Sequence, residues 1–287
     1  MVDEGEAKLR ENEKLLRRCS SISRAQKLVP PLIVDPSKSS SQLELLGSPE
    51  GKPVYRLRSL KPNVYLIPSF FPETKLLDLT HEILNRLIDN PPHANNFNDD
   101  SNPHSMWKEL LHGKSETPRL KKLRWSCVGY HYNWGERTYD PDLKSDFPAS
   151  FRELYVSVLD LVNSVVSEEN KLSGDAQSAI INLYHSHRVS DRLGGHRDDV
   201  EVTDRTPLVS LSIGRPGFFL IENEAIVLHS GDVLVMADEA RQSLHGVPGI
   251  VGGDRKKDST GDQQTEREAI TRFLSDTRLS LSIRQVY

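Results

Sequence analysis

Three side chains in this sequence have the types and spacing to share a metal ion: His196 and Asp198 in RLGGHRDDVE, and His245 in RQSLHGVPG. His196 and Asp198 are two residues apart, so on an extended segment both leave the same face. His245, beside a later β-rich run, joins them if that run folds to the same mouth. Two imidazoles and one carboxylate hold one side of a metal and leave the other open, a donor set suited to non-haem iron. The spacing permits chelation, but a His-x-Asp pair also arises in ordinary surface or core segments.

The closing segment RLSLSIRQV supplies a second feature. Leu279, Leu281 and Ile283 alternate with Arg278, Ser280, Ser282 and Arg284, which in a strand makes one apolar face and one of cations and hydroxyls. A solvated face usually mixes charges of both signs, so this one predicts a neighbouring anion. Arg278 and Arg284 stand about 20 Å apart along an extended backbone, and long side chains leaning inward can close most of that gap. Arginine presents a planar fork that grips a carboxylate by two hydrogen bonds. An iron centre that uses a dicarboxylate co-substrate needs both the open triad and the fork.

The elements that must position these residues follow from composition and periodicity. With 287 residues and 36% hydrophobic content, the chain can bury one large core or two modest ones. A net charge of -4 excludes a histone-like polycation, so contact with nucleic acid requires a local basic patch. Lys114, Arg119, Lys121, Lys122 and Arg124 in KSETPRLKKLRW offer one, although a charge run is usually a solvated face. Cys19 and Cys127 are too few for a disulfide framework and fit a reducing intracellular compartment. No apolar run approaches the roughly 20 residues of a membrane span, and the charged start MVDEGEAKLRENEKLL is unlike a signal peptide.

Residues 1–60 read as a partly mobile extension that begins with a charged, helix-compatible stretch and passes through VPPLIVDPSKSSSQ, rich in proline and serine. VYLIPSF predicts a strand, and Leu76, Leu79, Ile83, Leu84 and Leu87 predict a helix with Pro72 in its first turn. Ser150 and Glu153 form a capping-box pattern ahead of a second helix striped by Phe151, Leu154, Val158, Leu161 and Val165. DNPPHANNFNDDSNPHS predicts an exposed loop and YDPDLKSDFP a second loop. From residue 177, SAIINLYH, PLVSLSIG, GFFLIE, AIVLHS, DVLVMA and RLSLSIRQV are short β-rich runs that predict a barrel or a double-sheet jelly roll. TEREAITRFL predicts a short helix over a sheet edge.

In the same order along the chain, these segments resemble the AlkB-type iron and 2-oxoglutarate dioxygenases, most closely the homologue-one branch. NLYHSHRVSDRLGGHRDD resembles the family's Asn-x-Tyr segment followed by His-x-Asp, and HSGDVLVMADEARQSLHGVP the stretch ending in its second metal histidine. PLVSLSIG and GFFLI resemble its core strands, RLSLSIR its closing Arg-x-Asn-x-Thr-x-Arg motif, and LRWSCVGYHYNWG the homologue-one branch in particular. The resemblance spans roughly residues 123–287. It implies a mainly β fold with flanking helices (α+β) and a double-stranded β-helix (jelly-roll) core over 177–287. Flanking helices and a nucleotide-recognition lid would fill 61–176, after the 1–60 extension.

Carried across by position, the resemblance implies His196, Asp198 and His245 as iron ligands. Asn182 and Tyr184 match polar contacts to 2-oxoglutarate, Arg278 the salt bridge to its distal carboxylate, and Arg284 the second arginine of the cofactor motif. Ser280 stands where the family usually has Asn and Ser282 where it usually has Thr. Val200 stands where the bacterial repair enzyme has a base-contacting Asp, so that enzyme's base preference does not transfer.

The implied activity is an Fe(II)-, 2-oxoglutarate- and O2-dependent nucleic-acid dioxygenase acting on methylated bases, in tRNA modification or DNA repair. A methyl on a base nitrogen would leave as formaldehyde after hydroxylation, whereas a methyl on carbon would stop at hydroxymethyl or formyl. The partner would be RNA such as tRNA, or DNA, with unpaired or flipped bases that stack on aromatic or imidazole rings. Tyr130 and His131 lie in the implied recognition region, with Trp107 or Trp125 stacking or packing beneath; Trp125 and Trp134 equally suit core or lid packing. The chain is expected to be a monomer without a membrane anchor, in nucleus or cytoplasm, with the mitochondrion open. Two other readings stand: a dioxygenase acting on methylated protein side chains, and a non-catalytic nucleic-acid-binding jelly roll, which the Ser280 departure keeps open.

Overall fold

The computed structural model describes residues 4–17, 19, 21–29, 33–36, 41–60, 63–89, 92–97, 105–113, 118–188, 191–202, 205–252 and 265–287. Its strands are, in chain order, β1 (Ile33–Val34), β2 (Leu43–Gly47), β3 (Val54–Leu57), β4 (Val64–Ile67), β5 (Ala94–Asn95), β6 (Trp125–Asn133) and β7 (Thr138–Lys144). The remainder are β8 (Ser178–His185), β9 (Leu193–His196), β10 (Leu208–Gly214), β11 (Gly217–Ile221), β12 (Glu224–Leu228), β13 (Val233–Met236), β14 (His245–Ile250) and β15 (Thr277–Arg284). A major sheet runs β2-β3-β4-β13-β10-β15-β8-β6-β5, with β7 on β6, and a minor sheet runs β1-β12-β11-β14-β9.

Between a barrel and a double sheet, the chain adopts the second. Phe219, Ile221, Ile226 and Leu228 of the minor sheet pack against Val64, Leu66, Leu208 and Met236 of the major one, forming the interior of a double-stranded β-helix. The outer face of the major sheet is covered by α3 (Glu73–Glu82), α5 (Ala149–Asn163) and α6 (Glu266–Asp276), whose apolar stripes meet Val209, Leu211, Leu279, Leu281 and Ile283. Strand alternation therefore turns Arg278, Ser280, Ser282 and Arg284 inward. Arg278 is 1% exposed and Arg284 6%, so the polar face of the last strand is interior, not solvated. Among the described residues no helix is long and apolar enough to cross a membrane.

The first 60 residues differ from the expected extension. Helix α1 (Glu4–Leu16) buries Leu9 and Leu16 against Phe218, Leu220 and Val227 on the outer face of the minor sheet, and α2 (Ile22–Leu28) adds Ala25. β2 and β3 lengthen the major sheet beside β4. The charged start hides an amphipathic stripe that needs a sheet face to cover it.

Two expected loops also contribute strands, because backbone groups beside β6 gain partners by pairing with it. YDPDLKSDFP gives most of β7, which pairs with Tyr130–Asn133, and β5 pairs Ala94 with Cys127 and Asn95 with Ser126. The rest of DNPPHANNFNDDSNPHS falls largely outside the described residues, as do Lys114 and residues 253–264. The capping box expected at Ser150 and Glu153 is not formed. Pro148 is the N-cap of α5, and Ser150, already inside the first turn, donates its hydroxyl to Glu82 at 2.6 Å.

His93, expected in an exposed loop, is 4% exposed and bonds Ser145 Oγ through Nδ1 at 2.8 Å. Burial, then the nearby His131, lowers its pKa to about 4. The folded state thus holds this ring neutral where the unfolded chain would protonate it, so stability falls as pH drops from about 6.5 to about 4. The urea midpoint should decline across that window, and His93→Gln should flatten the decline; an unchanged slope in the variant would reject the assignment.

Candidate metal centre

The proximity of His196 and His245 comes from sheet register. β9 ends on His196, β14 begins on His245, and the antiparallel pairing sets these two residues opposite each other. Their rings lie 4.4 Å apart between centroids. Gly246 makes the close pairing possible, since a Cβ there would lie 2.8 Å from the Leu193 carbonyl oxygen. Asp198, two residues beyond β9, turns its carboxylate between the rings: Oδ1 is 3.4 Å from His196 Nε2 and Oδ2 is 3.8 Å from His245 Nε2. One donor atom from each of the three residues falls within 4.8 Å of the others.

Both imidazoles are oriented from behind. His196 Nδ1 lies 2.9 Å from the Gly194 carbonyl and His245 Nδ1 2.9 Å from the Ser243 carbonyl. Each Nδ1–H donates to its carbonyl, which leaves the Nε2 lone pairs aimed at the shared space, the arrangement by which metal-binding histidines are fixed. Burial, with the neighbouring His196, lowers the His245 pKa to about 4, so that ring is neutral and able to ligate. Burial alone would raise the Asp198 carboxyl, but the Arg284 guanidinium and then the hydrogen bond with His196 hold it well below the usual carboxylate range. This donor set fits a divalent first-row metal with open positions.

Around Asp198 lies a buried charge cluster. Arg284 Nη1 is 3.1 Å from Asp198 and 2.9 Å from Glu201; Arg241 is 3.4 Å from Asp198 and 3.3 Å from Glu201. Arg241 is 0% exposed. Sequence reasoning missed Glu201 and Arg241, although HRDDVE and RQSLH put them near the metal residues. Their burial together depends on β15 crossing behind the 197–201 segment, which no local pattern encodes.

A cavity of about 510 Å³ opens in front of the triad, its floor set by Asn182, Tyr184, Ser210, Ser280, Ser282 and Arg284. Register places Ser280 opposite Asn182 and Ser282 opposite Ser210, so hydroxyls and an amide on two neighbouring rows span three strands. Ser210 Oγ sits 3.4 Å from Ser280 Oγ and 3.3 Å from Ser282 Oγ. The shorter Ser280 thus joins a hydroxyl cluster rather than leaving a void. Arg278 is not part of the cavity lining. It sits one row deeper, opposite Tyr184, donating to Ser212 Oγ at 2.8 Å and the Leu228 carbonyl at 3.4 Å, with its Nε buried and without a hydrogen-bond partner among the described residues. Burial raises the Tyr184 phenol and lowers Arg278 to about 10, each partly offset by the other.

The aromatic residues expected to meet substrate are mostly elsewhere. Trp107, on α4 (Met106–Leu111), is 0% exposed in the helical core, stacked edge-on with Phe273 and donating its indole N–H to Glu266 at 2.8 Å. Tyr130 packs on Tyr287, and His131 points to Ser145 on the opposite face of β6. None of the three lines the metal cavity. Tyr132 and Trp134 do, because an irregular register between Tyr130 and Tyr132 rotates the end of β6. Their rings meet edge-to-face at 4.7 Å, and Arg137, also in the lining, pairs with Asp199 at 2.8 Å. Trp125 lies 5.5 Å from Trp134 at the side of this wall.

A family model described as the 2OG-Fe(II) oxygenase superfamily matches residues 63–284. DNA N(6)-methyladenine demethylase ALKBH1A of Arabidopsis thaliana is 31% identical over 180 residues, covering 58% of this chain and 50% of that protein. tRNA demethylase abh1 of Schizosaccharomyces pombe is 33% identical over 196 residues, covering 62% and 60% respectively. The chain therefore spans about half the length of the curated relatives it matches. The solved structure of OsALKBH1 superposes with a TM-score of 0.54 at 20% identity, over 79% of this chain and 98% of that one, which shows a shared fold.

Proposed function

The chain belongs to the 2OG-Fe(II) oxygenase superfamily, and from that premise we propose that it oxidises methyl groups on bases in RNA such as tRNA, or in DNA. The observation that carries this reading is the convergence of His196, Asp198 and His245, with both Nδ1 atoms tied to backbone carbonyls. Those three residues would hold Fe(II). Bound with 2-oxoglutarate and O2, the metal supplies the oxidation of a C–H bond with release of succinate and carbon dioxide.

The chain's own residues bind, orient and exclude water. Arg278 and Tyr184, the deepest cation and phenol beneath the cavity, are assigned to the far carboxylate of 2-oxoglutarate, with Asn182 and Ser280 beside it. Arg284 and Arg241 keep Asp198 ionised and immobile. Tyr132 and Trp134 are assigned to the reacting base, and the β6–β7 hairpin to the lid over it. The names of the two curated relatives, which specify methylated DNA and tRNA, favour nucleic acid over a methylated peptide as substrate.

Succinate release by the pure protein with Fe(II), ascorbate and 2-oxoglutarate tests this directly. A single-stranded oligonucleotide bearing N6-methyladenine should stimulate it and a methyl-lysine peptide should not, with nucleoside mass spectrometry identifying the product; the reverse order would move the function to protein substrates. Lys121 and Lys122 are exposed, whereas Arg119 pairs with Glu109 at 3.0 Å. If the two lysines touch phosphates, replacing both with alanine should weaken oligonucleotide binding and reduce the slope of log K against log salt by roughly 1–2. An unchanged slope would exclude that contact.

A further inference from the structure

Beside the metal cavity is a second, smaller one of about 230 Å³. Trp134, Asn182, Tyr184 and Leu193 line both, so the two are neighbours across a common wall. The walls unique to the smaller cavity include Arg124, Trp125 and Arg192. Trp125 stands opposite Asn182 in the β6–β8 ladder, which puts its ring on the same inner face of the major sheet as the cavity floor. The segments carrying the two cations are tied together, Arg124 Nη2 donating to the Arg192 carbonyl at 3.3 Å, and Asn96 Oδ1 accepts from the Arg124 backbone N–H at 2.6 Å. Both arginines are exposed at the rim, and among the described residues no acidic side chain lines this cavity.

Two guanidiniums without a carboxylate between them favour an anion, and Arg holds phosphate oxygens through its planar fork. A pair of tilted indoles beside them offers a face to any base regardless of sequence. We propose that this cavity is a subsite for the nucleotide adjoining the reacting base. In it Arg124 and Arg192 hold the linking phosphodiester, and Trp125 receives the neighbouring base, with Trp134 the wall between that base and the reacting one. The inference rests on the nucleic-acid reading above and adds to it a requirement: the substrate is a strand, not an isolated nucleoside, and both the modified nucleotide and its neighbour leave any duplex together.

The test uses single-stranded decamers with one central N6-methyladenine in which the phosphodiester on one side or the other of that base is replaced by an uncharged methylphosphonate. With the wild-type protein, one of the two replacements should raise KM roughly ten-fold without changing kcat. In Arg192→Ala and Arg124→Ala that ratio should shrink towards one, because the cation that read the lost charge is gone. An abasic neighbour should likewise raise KM in the wild type, and by less in Trp125→Ala. Each ratio compares two substrates on the same protein, so partial loss of folding cancels. Equal KM for all linkages in the wild type, or an undiminished ratio in both arginine variants, overturns the subsite while leaving the nucleic-acid reading intact. Succinate release with methyl-lysine peptide and with no oligonucleotide overturns both.

Discussion

Asp198→Ala should abolish oxidation of the methylated base. The variant loses one of three converging donors, and the remaining imidazoles face Arg284 and Arg241, whose charges then have Glu201 as their one counterion among the described residues. Loss of an outer partner of a metal ligand typically costs 10- to 100-fold in affinity or activity, so loss of the ligand itself should exceed about 100-fold in both. Titration with Mn(II) would read the affinity, and nucleoside mass spectrometry the product. Asp198→Asn keeps the volume and removes the charge, and should fall close to the alanine variant. Activity within about ten-fold of wild type in either variant would remove Asp198 from the metal site and with it the oxygenase mechanism.

Arg284→Met should destabilise the metal-free protein by about 3–5 kcal/mol, the usual cost of removing one partner from a buried ion pair. Its guanidinium contacts both Asp198 and Glu201, and without it two buried carboxylates share Arg241. A divalent cation beside Asp198 restores positive charge and binds only the folded state, so the loss should shrink when metal is present. Urea unfolding in EDTA and in excess Mn(II) measures both numbers. The same destabilisation in the two buffers would mean that Arg284 acts on the fold without acting on the metal residues. Arg284→Lys should recover part of the stability, since it returns the charge but not the fork that spans two acids.

Much of the site was legible because its residues obey local rules. His196 and Asp198 share a face by two-residue spacing, and the alternation in RLSLSIR forces Arg278, Ser280, Ser282 and Arg284 to one side. The helical stripes were readable in outline, since each needs an apolar face towards one sheet; Pro72 caps α3 from outside, Ile83–Leu87 forms a separate π-helical turn after it, and α6 lies over the central strands β10 and β15, not over an edge. The aromatic contacts were not. Trp107 sits in a polar-flanked segment with nothing local to show that Glu266, 159 residues away, takes its indole N–H. Tyr130 and Tyr132 exchange roles because an irregularity in the β6–β7 pairing moves which ring reaches the cavity. The helical character of α1 was legible but its docking was not, because its stripe is short and meaningful only against the minor sheet.

By itself the sequence determined which residues share a face: the metal pair on one short segment, the inward cations and hydroxyls of the last strand, and the ordered motifs of an AlkB-type dioxygenase. Those properties depend on backbone periodicity, which acts over two to four residues. Tertiary structure alone decided that His245 faces His196, that Arg241 and Glu201 close a charge cluster around Asp198, that Arg284 lines the cavity while Arg278 does not, and that Tyr132 and Trp134 front the cavity. Each of these depends on strand register and on which sheet covers which, and such long-range choices are fixed only when the whole interior is packed.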